Sequence, residues 1–104
     1  MPGVDFQLLR ERIAMQEVLE LLQFEPTARV GDQWRGPCPV HGSRNPRSRS
    51  FSVNVRLGRY HCSACGSRGH ALELWSAVHS VSLYAAAMEL CELLGREPPW
   101  VTRW

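Results

Sequence analysis

The 104 residues, 44% of them hydrophobic and 21% charged, suffice for one domain with a small core that still needs a staple. No stretch approaches the roughly eighteen apolar residues of a membrane span, and the N-terminus, with acidic Asp5 and Glu11, does not read as a signal peptide. The net charge of +2 hides an asymmetry: residues 29–70 hold eight arginines against Asp32 alone, while residues 1–28 and 71–104 are both net acidic.

In chain order, Asp5 is placed to cap a helix running toward Phe24, with Phe6, Leu9, Ile13, Val18, Leu21 and Leu22 at helical spacing. The period stumbles near Ile13–Met15, which predicts two short helices with a kink, and Pro26 closes the element. Ala28-Arg29-Val30, a turn at Gly31-Asp32 and Gln33–Gly36 then read as a hairpin. Residues 42–50 lack apolar members and are expected to form an exposed, mobile loop. Phe51, Val53 and Val55 alternate with polar partners as a half-buried strand; Leu57-Gly58 turns it, and Arg59-Tyr60-His61 returns. Gly69-His70 opens a helix through Val78. Ser82 caps a last helix, Leu83 to Leu94, stopped by Gly95 with Pro98-Pro99 beyond. The pattern is α+β: a small antiparallel sheet flanked by N-terminal and C-terminal helices. Residues 1–95 form the domain, with its core at about 13–95, and residues 96–104 read as a C-terminal tail or linker start.

Two short loops in the middle carry the chemistry. Cys38-Pro39-Val40-His41-Gly42 and Cys62-Ser63-Ala64-Cys65-Gly66 each offer two ligands three positions apart, then a glycine able to turn backbone N–H groups toward the sulfurs. Three thiolates and one imidazole, from Cys38, His41, Cys62 and Cys65, make a closed tetrahedral set for one structural Zn2+ at one end of the sheet. Softness argues against calcium or magnesium, and a filled set argues against a catalytic metal. A lone Cys-x-x-Cys would also suit a redox pair; two matched knuckles favour metal. Such thiolates call for a reducing compartment, hence the cytoplasm. Cys91 sits among apolar helix residues and reads as core, His61 points away from the ligands beside it, and His70 and His79 read as surface residues.

All twelve basic residues are arginine, which pairs with phosphate bidentately and stacks on bases. An arginine-rich middle points to a polyanion, nucleic acid first. A solvated surface chosen for solubility is the plainer alternative.

Taken together, Cys38-x-x-His41, Ser50-Phe51-Ser52-Val53 and Tyr60-His61-Cys62-x-x-Cys65-Gly66-x-x-Gly69 resemble the zinc-binding domain of bacterial DNA primases, over roughly residues 13 to 95. The resemblance implies a zinc ribbon that engages single-stranded template DNA and supports RNA primer synthesis in replication. Its partner is a polymerase domain or replication protein in cis or in trans. Carried over by position, Phe51, Tyr60 and His61 are candidate stacking groups. Arg47 stands where the family has a lysine, and Arg49 where it has a proline. With Arg56 and Arg59 these complete the candidate nucleic-acid contacts. The family's polymerase domain carries clustered carboxylates that bind magnesium. The scattered acids here form no such cluster, so no catalytic residue is expected and the chain is not an enzyme by itself. The alternative is an adaptor in which the ribbon is only scaffold and Trp75, Trp100 and Trp104 dock a replication or mobile-element protein without DNA contact.

Overall fold

A computed structural model describes residues 3–42, 45 and 47–101. In chain order they form β1 (Gly3–Val4), α1 (Phe6–Arg12), α2 (Met15–Leu21), β2 (Ala28–Val30), β3 (Gln33–Gly36), β4 (Phe51–Asn54), β5 (Arg59–Cys62), β6 (Arg68–Gly69), α3 (Ala71–His79), α4 (Leu83–Leu94) and β7 (Trp100–Val101). The expected break in the first helix is real. Ile13 and Ala14 turn extended between α1 and α2, and each new helix brings its own cap. Asp5 Oδ1 accepts the Leu8 N–H at 3.1 Å, and Glu17 Oε1 accepts the Ala14 N–H at 3.0 Å, so donors that no helical carbonyl serves are satisfied by side chains. The second helix stops at Leu21, earlier than expected, because Gln23 takes a left-handed φ of 56° and the Phe24 N–H returns to the Leu19 carbonyl at 2.9 Å. At the other end of the chain, Ser82 Oγ accepts from Ala85 N–H at 3.1 Å, and Gly95 ends α4 with φ 67°.

Strands β2 to β6 form one five-stranded antiparallel sheet in sequence order. Both expected hairpins are present, β2 with β3 and β4 with β5. The ladder between them pairs Gly36 with Phe51, Arg35 with Ser52, Trp34 with Val53 and Gln33 with Asn54. Side chains alternate across a strand, so Phe51, Val53, Tyr60 and Cys62 turn inward while Ser52, Asn54, Arg59 and His61 turn outward. The inner side chains join Leu9, Val18 and Leu19 from the first helices and Leu72, Leu74, Ala86 and Leu90 from the last two in a single apolar core. Among the described residues no single helix is long and apolar enough to cross a membrane.

Two features had no signal in the sequence pattern. Residues 68–69 form β6 on β5. Trp100 and Val101, expected in the tail, pair with Val4 and Gly3 as β7, and the Asp5 N–H reaches the Pro99 carbonyl at 2.7 Å. Arg96 reinforces this closure. Its guanidinium donates to the Glu17 carboxylate and, at 2.8 Å, to the Arg12 carbonyl, and the hydrogen bonds from Arg96 and from the Ala14 N–H hold the Glu17 carboxyl below the usual carboxylate range. Residues 43, 44 and 46 of the expected loop, and Thr102 to Trp104 of the tail, lie outside the described residues.

Gly69 is where β6 meets α3. Its φ of 148° disfavours an L side chain, and a Cβ there would lie 2.7 Å from Glu73 Cβ. Gly69→Ala is therefore expected to destabilise by on the order of 1–3 kcal/mol, the range for overpacking and forced backbone. Thermal unfolding would show it as a Tm lowered by several degrees at unchanged zinc content; an unaltered Tm would mean that β6 is free to move off the helix.

Candidate metal centre and nucleic-acid face

Both knuckles hang from the same end of the sheet. Cys38 follows β3 by two residues, and Cys62 is the last residue of β5, in register with the first residue of β4. Gly42 and Gly66 sit in the left-handed region, with φ 64° and 77°. This turns the chain back as the knuckle requires: the Gly66 N–H bonds the Cys62 carbonyl at 2.9 Å, and the Cys65 N–H points at Cys62 Sγ at 3.4 Å. The ligand atoms of Cys38, His41, Cys62 and Cys65 all lie within 4.8 Å of one another. Cys38 Sγ is 3.9 Å from Cys65 Sγ, and Cys62 Sγ is 3.7 Å from His41 Nδ1. The edge of a tetrahedron with zinc–sulfur bonds of about 2.3 Å is roughly 3.8 Å, so these separations fit one Zn2+.

Electrostatics say the same. Thiolates this close repel, and the proteins' own groups sort them unequally. Burial opposes ionisation of Cys62, but the backbone N–H groups of Cys65 and Ala64 and the thiols of Cys65 and Cys38 outweigh it, and Cys62 is lowered to about 6. At Cys38 burial wins over the N–H groups of His41 and Val40, the neighbouring Cys62 adds to it, and the thiol is pushed up to about 12. A divalent cation removes that conflict by deprotonating its thiol ligands outright. Cys91 stands apart, buried on α4 with its thiol pushed up by burial. Of the remaining histidines, His61 is exposed on the outer sheet face, half-buried His70 precedes α3 without a side-chain bond to it, and exposed His79 tilts on Trp75 with ring centroids 4.2 Å apart.

The seven candidate contacts to nucleic acid separate into groups. Arg47 and Arg49 are exposed in the loop at the zinc end. Arg59 and His61 are exposed on the outer sheet face. Arg56 lies at the far end, where it forms an ion pair with Asp32 at 3.2 Å. Phe51 and Tyr60 require correction as stacking groups. Phe51 is 0% exposed and Tyr60 4%. Their rings stack on each other with centroids 5.6 Å apart, and Phe24 meets Phe51 edge-on at 5.1 Å. No ring face is left for a base. Burial also pushes the Tyr60 phenol up, and its oxygen lies 2.8 Å from Ser67 Oγ. Trp75, a docking surface in the adaptor reading, is likewise buried, with its indole N–H bonded to Glu89 at 2.9 Å.

Sheet register adds residues that sequence reading missed. Arg35, Ser52, His61 and Arg68 line up across β3 to β6 on the outer face. Beside them run Gln33, Asn54 and Arg59. Of these, Gln33, Ser52, Asn54, Arg59, His61 and Arg68 line an open groove of about 680 Å³ that also takes in His70. Among the described residues this face carries no carboxylate. Period-two alternation alone could have turned Ser52 and Asn54 outward; placing Arg35 and Arg68 beside them needed the strand order.

A small antiparallel sheet with a Cys-His-Cys-Cys metal centre at one end, packed on helices, defines a zinc ribbon. The chain belongs to the CHC2 zinc finger family, whose profile matches residues 3–101. It is similar to the DNA primase of Lactococcus lactis, 31% identical over 96 residues that make up 91% of this chain and 15% of that one. It is similar also to the DNA primase of Geobacillus stearothermophilus, 28% identical over 90% of this chain and 15% of that one. The crystal structure of the Aquifex aeolicus primase, comprising zinc binding and RNA polymerase domains, superposes with a TM-score of 0.70 at 28% identity, covering 91% of this chain and 22% of that one. The fold is that of a primase zinc-binding domain, and the chain spans only a small part of the length of these relatives.

Proposed function

We propose that this chain binds single-stranded template DNA for a DNA primase, and that it serves RNA primer synthesis carried out by a polymerase domain in cis or in trans. In this reading the chain is not catalytic. Its zinc would have four protein ligands and no open position for substrate, and thiolates at metal spacing favour a reducing compartment such as the cytoplasm. The observation that carries the proposal is the outer sheet face: Arg35, His61 and Arg68 lie in one register row, with Arg59 in the next. A carboxylate-free face carrying guanidinium groups suits phosphates, and a sheet face open on one side suits a single strand, whose bases are not already paired. Arg47 and Arg49 extend the basic path toward the metal centre.

Fluorescence anisotropy of the zinc-loaded protein with single-stranded and duplex DNA across a salt series tests this. The single strand should bind more tightly, with a clear salt slope. Arg35→Ala combined with Arg68→Ala should make that slope shallower by about 1.4, two phosphate contacts at about 0.7 each for a single strand. Arg47→Ala with Arg49→Ala should act the same way if the strand continues past the metal centre. Absence of binding to either DNA at low salt would overturn the proposal, and a slope unchanged in the Arg35 and Arg68 variant would move the interface off this face.

A further inference from the structure

We infer that residues 96–101 are a releasable strap whose docking regulates the outer sheet face; the inference rests on the template-binding reading above. The strap fastens α1 at both ends. At the first, Gly3 and Val4 pair with Val101 and Trp100, and the Pro99 carbonyl accepts the N–H of Asp5, the cap of α1, at 2.7 Å. At the second, the Arg96 guanidinium donates to the Arg12 carbonyl and to Glu17 Oε1, both at 2.8 Å. It thereby grips the break between α1 and α2.

This closure is built to open locally. β1 and β7 form a two-stranded sheet separate from the five-stranded one, and an isolated strand pair is marginal in water. The Arg96–Glu17 pair is partly exposed, with side chains 40% and 29% accessible, where ion pairs contribute little. Helix α1 has seven residues and buries only Leu9 among them. A helix that short does not hold by itself, so release of the strap loosens it.

What α1 passes on is its ion pair with α3, Arg10 Nη2 to Glu73 Oε1 at 3.0 Å. The other oxygen, Glu73 Oε2, is buried and has no hydrogen-bond partner among the described residues. When Arg10 leaves, the carboxylate is stranded in a half-buried place, which is costly, and Glu73 turns toward water. Glu73 lies in the first turn of α3 against Gly69, so closely that a Cβ on Gly69 would sit 2.7 Å from Glu73 Cβ. Gly69 and Arg68 are β6, and Arg68 pairs with His61 at the edge of the outer face. Strap, α1, ion pair and β6 are thus one run of contacts, and whatever keeps the strap docked keeps that edge in place.

The test uses Arg96→Ala and Glu17→Gln in the zinc-loaded full chain. Both break the latch, and Glu17→Gln keeps an oxygen for the Ala14 N–H. Without DNA, amide hydrogen exchange at Asp5 and Leu8 should quicken about tenfold in both, the scale of one or two lost hydrogen bonds. Exchange at Leu74, which bonds the His70 carbonyl where α3 begins, should quicken with it, while the β3–β4 ladder stays unchanged. Affinity for an oligo-dT strand should fall about fivefold in both variants, the low end of coupling between sites. The two substitutions change the net charge in opposite directions, so a shared fall is not electrostatic. By linkage, bound DNA should slow Asp5 exchange in the wild type. Exchange quickened equally throughout the domain would reduce Arg96 to general stability and overturn the inference. Faster exchange at Asp5 with Leu74 and DNA affinity unchanged would overturn it too, leaving template binding in place. No binding of the strand by the wild type at low salt would overturn the template reading and, with it, the regulation.

Discussion

Replacing Cys62 with Ser is expected to leave the chain without metal and without its tertiary fold, read as loss of bound zinc by atomic absorption together with loss of near-ultraviolet circular dichroism. The serine hydroxyl is a hard, un-ionised group at neutral pH and does not replace a thiolate on zinc. Position 62 also does more than ligate. It is buried, terminates β5, pairs in register with Phe51, and gives its N–H to Ser67 at 2.8 Å. The two knuckles meet at the metal centre, where Cys38 Sγ lies 3.9 Å from Cys65 Sγ. Binding of structural zinc is worth about 10–16 kcal/mol in small zinc domains, whereas the whole net stability of a domain is about 5–15 kcal/mol. Removing the first therefore removes all of the second. A chelator should produce the same unfolded state from the unaltered protein, and added zinc should reverse it. A metal-free Cys62→Ser protein with native circular dichroism would show that the helices and sheet suffice, and would reduce the zinc to a local brace.

The metal centre was legible because its chemistry is written in residue types at fixed short spacing. Cys38 and His41, or Cys62 and Cys65, need only one turn of chain to converge. Caps such as Asp5, Ser82 and Gly95 were legible for the same local reason. The outer face was not. Alternation places Ser52 opposite to Phe51, but which way the strand turns over is decided by the helices that cover one side, and those are distant in sequence. An aromatic residue in a strand reads identically as core or as a stacking platform until that side is known, which is why Phe51 and Tyr60 were expected at the interface and lie in the core. Arg35 and Arg68 acquire meaning only through β3 pairing with β4 across the long loop and β6 with β5. Two-residue strands such as β6 and β7 have no period to detect.

Phe51→Ala should cost about 3–5 kcal/mol, the usual penalty for emptying a large buried aromatic site, and would show as a marked fall in the urea midpoint at unchanged m-value. Phe51 is among the largest fully buried side chains, held between Phe24 and Tyr60. Both neighbours lose a packing surface together, and neither can follow the void without disturbing strand or loop. The position lies beside Cys62 in the ladder, so looser packing there also loosens the metal centre, and zinc should dissociate faster from the variant. Loss of DNA binding in Phe51→Ala would say little, because an unfolded protein binds nothing specifically. Phe51→Leu separates the two roles. It keeps most of the apolar volume, so the domain stays folded, but removes the aromatic face. If Phe51 acts only through packing, single-stranded DNA affinity of the folded leucine variant matches the wild type. A base stacked on that ring is worth about 1–3 kcal/mol, so an affinity loss of tenfold or more in a folded, zinc-loaded Phe51→Leu protein would require the sheet to open its inner face to the template.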